Sequence, residues 1–162
     1  MSGIINSVGS RSGIIGTTVS DVVNIEAYSD STATANTTSG GSWLALPITD
    51  TITPSRTSSK ILVIVSLLGI AVPDIQAECV RYKIFRDVTN EIFDAANVYY
   101  QNVDADDHLG PGALTCPMMV LDTPNTTSTV TYTVYAQTRL GNSCTFCGAS
   151  GATSTIALIE KA

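Results

Sequence analysis

Residues 61–70 carry apolar side chains on both alternating faces, Ile61, Val63, Val65 and Leu67 on one and Leu62, Ile64, Leu68 and Ile70 on the other. A strand with one face in water alternates apolar with polar residues, so this pattern calls for cover on both sides. The apolar stretch runs from Ile61 to Val72, is interrupted by Ser66 and Gly69, and stops before Pro73. That is well short of the roughly 20 residues needed to cross a bilayer, so it reads as a core segment with no membrane partner. A buried helix is the competing reading, but the β-branched content and short length favour a strand. In a two-layer antiparallel sandwich one face of each sheet normally meets water. The second apolar face therefore needs a loop, the N-terminal segment or another subunit. Oligomerisation is the economical answer, with Ile61, Val63, Val65 and Leu67 as the expected subunit interface.

The rest of the chain repeats the strand pattern at short spacing. Val19 to Ala27 is mostly of period two, and Trp43-Leu44-Ala45-Leu46 is a short apolar strand. Cys79 to Arg86, Ala96 to Val103, Leu114 to Leu121, Thr129 to Thr138 and Thr153 to Glu160 follow. In the segment from Thr129, Val130, Tyr132, Val134 and Ala136 alternate with Thr131, Thr133, Tyr135 and Gln137, just after the turn chemistry of Asp122-Thr123-Pro124-Asn125. Ser29 to Ser42 is almost entirely Ser, Thr, Ala, Asn and Gly and reads as a connection. The surroundings of Asn142 to Gly151 read as a turn between the last two strands. No 3.6-residue period appears, so the expected fold is all-β, an antiparallel sandwich or jelly roll. With 162 residues one core is expected, comprising residues 17–162.

Residues 1–16 read differently. Ser2-Gly3-Ile4-Ile5 recurs as Ser12-Gly13-Ile14-Ile15, with only Arg11 charged between them. Glycine and serine beside isoleucine pairs give no helical stripe, so this is an extended arm whose isoleucines need cover from the protein's own body or a neighbour. Ten extended residues reach about 33 Å, enough to place the two pairs one subunit apart. Ile4, Ile5, Arg11, Ile14 and Ile15 are the expected partner-binding residues. The arm lacks a basic cluster followed by a long apolar run, so no secretory signal is expected.

Composition and motifs narrow the function classes. Charged residues are 14% of the chain and the formal charge is −6, with eight Lys and Arg in all, too few to neutralise a phosphate backbone; nucleic acid is not an expected partner. Cys144-Thr145-Phe146-Cys147 is half of a zinc or redox motif, but Cys79 and Cys116 lack matching spacing and no βαβ pattern surrounds it, so buried thiols or a loop disulfide are the simpler reading. Asp104-Ala105-Asp106-Asp107-His108 is rich in oxygen ligands yet lacks the spacing and distal glutamate of a calcium loop, and reads as a solvated acidic turn. His108 is the only histidine, and no nucleophile elbow accompanies it. Tyr99 and Tyr100 alternate to opposite faces of a strand and make a weak stacking platform. Asn36-Thr37-Thr38 and Asn125-Thr126-Thr127 read as Thr-rich loops. No catalytic residue, metal site or cofactor is expected.

Several short motifs occur in a telling order. They are Met-Ser-Gly-Ile-Ile-Asn-Ser at the start, Ile52-Thr53-Pro54 before Ser58-Ser59-Lys60-Ile61-Leu62-Val63, and Phe85-Arg86-Asp87 before Ile92. Leu121-Asp122-Thr123-Pro124-Asn125-Thr126-Thr127-Ser128 before Val130-Thr131-Tyr132, and Ser154-Thr155-Ile156 to Glu160, complete the set. Together the chain resembles small tailed-bacteriophage virion proteins of marine and cyanobacterial phages, whose body looks like a C1q/TNF-type jelly roll. The resemblance implies a near ten-strand sandwich, a homotrimer, and a structural or adhesive role without catalysis. The 29–42 loop and the cysteines match no role in that family. The expected function is a capsid-decorating (cement) protein of the virion, assembled in the host cytoplasm, with the arm lying over the major capsid protein or another virion protein. Sixteen residues are too few for both the attachment domain and the shaft of a tail fibre. The alternative is a receptor-binding tail tip recognising the host surface.

Overall fold

Apolar alternation in the longer segments resolves into two stacked sheets in the computed structural model, which describes residues 22–30, 34–36, 42–70, 80–98, 114–138, 144–146 and 153–161. The described strands are β1 (Val22–Asp30), β2 (Thr34–Asn36), β3 (Leu44–Ile52), β4 (Lys60–Ile70), β5 (Val80–Arg86), β6 (Asn90–Val98), β7 (Leu114–Asp122), β8 (Val130–Thr138), β9 (Cys144–Phe146) and β10 (Ser154–Lys161). One four-stranded sheet has the order β1-β10-β4-β7 and the other β3-β8-β5-β6, while β2 and β9 pair as a separate ribbon. All pairings are antiparallel. Among the eight long strands every connection passes between the sheets except the β5–β6 hairpin. This crossing order is that of a jelly roll, the fold expected from the alternation.

The inner faces meet in a single core. The first sheet contributes Ile61, Val63, Val65 and Leu67 from β4, Ile156 and Leu158 from β10, and Cys116 and Met118 from β7. The second contributes Leu46, Ile48 and Ile52, Val80, Tyr82 and Ile84, and Val130, Tyr132, Val134 and Ala136. Each large aliphatic side chain removed from water in this way contributes roughly 1.5–3 kcal/mol. Ile61, Val63, Val65 and Leu67 are all 0% exposed within one chain, which corrects their assignment to a subunit interface. A doubly apolar strand has two equivalent faces in sequence, and its connections turn this one inward.

Two polar groups are built into the sandwich. Asp122 on β7 accepts from Arg86 Nη1 at 2.7 Å and from Tyr132 Oη at 2.8 Å, so one carboxylate ties the first sheet to two strands of the second. Burial first, and the bond to Asp122 second, push the Tyr132 hydroxyl far above its ordinary pKa, keeping it a donor. Glu160 at the end of β10 is covered by the loop between β3 and β4. It accepts from Ser55 N and Ser55 Oγ, both at 2.7 Å, and from Ser59 Oγ at 2.6 Å.

Elsewhere the boundaries differ from the sequence reading for local reasons. β3 is longer than the Trp43–Leu46 segment and contains Pro47, tolerated because β3 is an edge strand with a register shift between Ala45 and Thr49. β6 begins at Asn90 and not at Ala96, because Arg86 pairs with Asn90 and leaves Asp87, Val88 and Thr89 as the hairpin turn. Asp87 clamps that turn to β8: its N–H donates to Thr131 O and its Oδ1 accepts from Thr131 N. Val88 has φ 68° and is well exposed, a left-handed conformation that a β-branched residue adopts at a cost of about 1–2 kcal/mol. Val88→Gly is therefore expected to stabilise the chain by about 1 kcal/mol, read as a higher urea midpoint with unchanged slope. In the connection between β7 and β8, Asn125, with φ 55°, is a residue type that takes this conformation readily.

Candidate assembly surface

Side chains directly opposite in an antiparallel sheet point to the same face, so the register defines what the outer face of β1-β10-β4-β7 presents. One row across all four strands is Ile25, Ile159, Leu62 and Leu121, and the next is Ala27, Ala157, Ile64 and Met119. Ile25 is 60% exposed, Leu121 53%, Met119 65% and Ile64 37%. At one end Lys60 pairs with Lys161, and at the other a row of Ser29, Thr155, Ser66 and Pro117 closes the patch. Two rows of apolar side chains thus face outward across the full width of the sheet. β1 adds a second feature: it is an edge strand, and Val22, Val23 and Tyr28 are exposed beside Ile25. An apolar edge strand is a template for further protein contact.

The outer face of β3-β8-β5-β6 is built otherwise. Its rows are Ala45, Tyr135, Lys83 and Asp94, and Thr49, Thr133, Phe85 and Glu91. Lys83 Nζ lies 2.6 Å from Glu91 and 3.4 Å from Asp94, and 4.9 Å above the Trp43 ring. The bond to Glu91, outweighing burial, holds the ammonium above its ordinary pKa. Thr49 and Thr133 share a hydroxyl hydrogen bond at 2.9 Å, and Phe85 and Tyr135 meet edge to face at 4.9 Å. These side chains satisfy one another and face water at little cost. The contrast singles out the first sheet's outer face.

No protein-family model matches the chain, and no curated protein matches it. Solved structures do. One is the subviral particle of infectious bursal disease virus VP2, with a TM-score of 0.47 and 10% identity, covering 86% of this chain and 38% of that one. Another is the structure of the Gx strain of infectious bursal disease virus, with a TM-score of 0.46 and 11% identity, covering 87% and 38%. The chain therefore spans well under half the length of these two structures.

The arm residues Ile4, Ile5, Arg11, Ile14 and Ile15 lie outside the described residues, as do Tyr99, Tyr100, the Asp104 to His108 loop, Cys79 and Cys147. Cys144 opens β9, so the half-motif falls on a short strand paired with β2. Cys116 is a free thiol in the core, and burial raises its pKa, which keeps it protonated and unreactive. Among the described residues no group of three or more His, Cys, Asp or Glu could hold a metal ion, and no helix is long and apolar enough to cross a membrane. Sequence reasoning missed Ile25, Met119, Leu121 and Ile159 as surface residues. The signal was present: Pro117, Met119 and Leu121 alternate with Cys116, Met118 and Val120, and Ala157 and Ile159 with Ile156 and Leu158, so three adjacent strands are apolar on both faces.

Proposed function

We propose that the chain is a non-enzymatic structural protein of a bacteriophage virion, a homotrimeric capsid-decorating protein held to the shell through its N-terminal arm. The observation that carries this reading is the outer face of β1-β10-β4-β7, which presents two full rows of apolar side chains beside a second sheet whose outer face is self-satisfied and polar. Contiguous exposed apolar surface on a folded domain marks a place where further polypeptide docks, from its own chain or from another. The resemblance of its ordered motifs to those of small phage virion proteins supports a virion as the assembly. The repeated Ser-Gly-Ile-Ile arm supplies a segment suited to an extended docking site on an unlike partner.

The test is binding to empty shells. Deleting residues 2–16 should leave a folded trimer by sedimentation and reduce shell binding at least 100-fold, because the apolar side chains that the arm brings to the contact are lost. Binding unchanged by the deletion contradicts the arm as anchor. Adsorption of the purified protein to host cells with blockage of infection, in place of shell binding, is the outcome that a receptor-binding tail protein gives.

A further inference from the structure

The apolar outer face and the isoleucine-bearing arm belong to adjacent parts of one chain. Residue 21 leads straight into Val22, the first residue of β1, and β1 is the edge of the sheet whose outer face is apolar. We infer that the proximal isoleucine pair, Ile14 and Ile15, lies across that face of its own chain, over Leu62, Ile64 and Met119, and that Ile4 and Ile5 are thereby presented to the unlike partner. This rests on the proposed anchoring role of the arm and divides it into two parts.

Reach, area and tethering support this occupant. Seven residue steps from Val22 back to Ile15 span at most about 23 Å, while Met119 on the far strand lies about 20 Å from Val22, taking strands about 4.8 Å apart and same-face residues about 7 Å apart. The proximal pair reaches every position of the two apolar rows. The distal pair, ten residues further on, extends about 33 Å beyond it, past the edge of the sheet. The area decides against a second copy as the main cover. Four strands and two apolar rows make a patch on the order of 300 Å², less than half of the roughly 800 Å² per partner that a stable protein interface buries. A segment about 10 Å wide and about 23 Å long covers about 230 Å², comparable with the patch. A short tether also gives the segment an effective concentration in the millimolar range, which a separate copy at ordinary concentration does not match.

Arg11 provides the measurement. It is the only lysine or arginine before Arg56, and it sits between the two isoleucine pairs. Docking of Ile14 and Ile15 withdraws the residues after Arg11 from a protease that must bind several extended residues on each side of the bond. Trypsin cleavage after Arg11 in the isolated full-length protein is therefore expected to be slow. It should become at least 10-fold faster in Met119→Asp, which alters only an exposed position, and in Ile14→Ser with Ile15→Ser. Equal cleavage rates in all three proteins overturn the inference. In the unaltered protein, methyl nuclear Overhauser effects should connect Ile14 or Ile15 to Ile64 or Met119, and should persist undiminished when labelled chains are diluted with unlabelled ones. Their absence, or their loss on dilution, which reports contact with a neighbouring copy, also overturns it. No shell is present in these experiments, so they fail or succeed independently of what the distal pair binds.

Discussion

Ile61→Ala is expected to destabilise the folded chain by roughly 2–5 kcal/mol, whereas Ile64→Ala, three residues along the same strand, should cost less than half as much. Both remove the same atoms from β4. Ile61 is 0% exposed between the sheets, in the one core cluster that also holds Leu158, Val63 and Tyr132, and its truncation leaves a cavity that the surrounding strands cannot fill. Ile64 points out of the sandwich and is 37% exposed, so truncation there forfeits less buried area and leaves no enclosed void. Urea unfolding of the two variants measures the difference. Equal losses would show that both faces of β4 are enclosed to the same degree, contrary to the geometry. The comparison also separates stability from assembly: Ile61 acts through the fold, while Ile64 and Met119 act through what docks on the fold.

Glu160→Ala should cost about 3 kcal/mol, because it strands Ser55 N, Ser55 Oγ and the fully buried Ser59 Oγ without their shared acceptor. The loop between β3 and β4 is pinned by these bonds, and its loosening exposes the end of the core. The same group makes stability depend on pH. Burial raises the Glu160 pKa, but the bonds from Ser59 and Ser55 and the nearby Arg56 charge outweigh it and hold the carboxyl below its ordinary value. A carboxylate depressed in the folded state contributes stability that is fully present above the unfolded value of about 4.3, and this is lost as pH falls through the lower folded value. Glu160→Gln cannot titrate. The unfolding free energy of the unaltered protein should therefore fall more steeply below about pH 4.3 than that of the variant. Parallel curves for the two proteins would contradict the assignment.

Much of the body was legible because backbone alternation reports sheet geometry directly. β4, β5, β7, β8 and β10 fall where the apolar pattern puts them, and the Thr123–Asn125 segment lies in the connection between β7 and β8 that its residue types suit. β2 and β9 left no trace, since a short ribbon such as Thr34 to Asn36 against Cys144 to Phe146 forms from backbone hydrogen bonds and needs no apolar alternation. The start of β6 was hidden for a related reason: Asp87-Val88-Thr89 turns the chain without glycine or proline, held by the Asp87 clamp to β8. The assembly surface was half legible. Double apolarity of β4 announced that two faces need cover, but alternation is symmetric and does not say which face the sandwich takes. That choice is made by cross-strand partners, Ile25, Ile159, Leu121 and Met119, which become neighbours of β4 only once the sheet order is known.

Whether this jelly roll decorates a virion shell, as proposed, is decided by locating the protein on particles by cryo-electron microscopy. Trimeric density is expected over the outer surface of the shell, with an extended segment running from each knob onto neighbouring capsid subunits. Density at the tail tip, or no density on the particle, would contradict it.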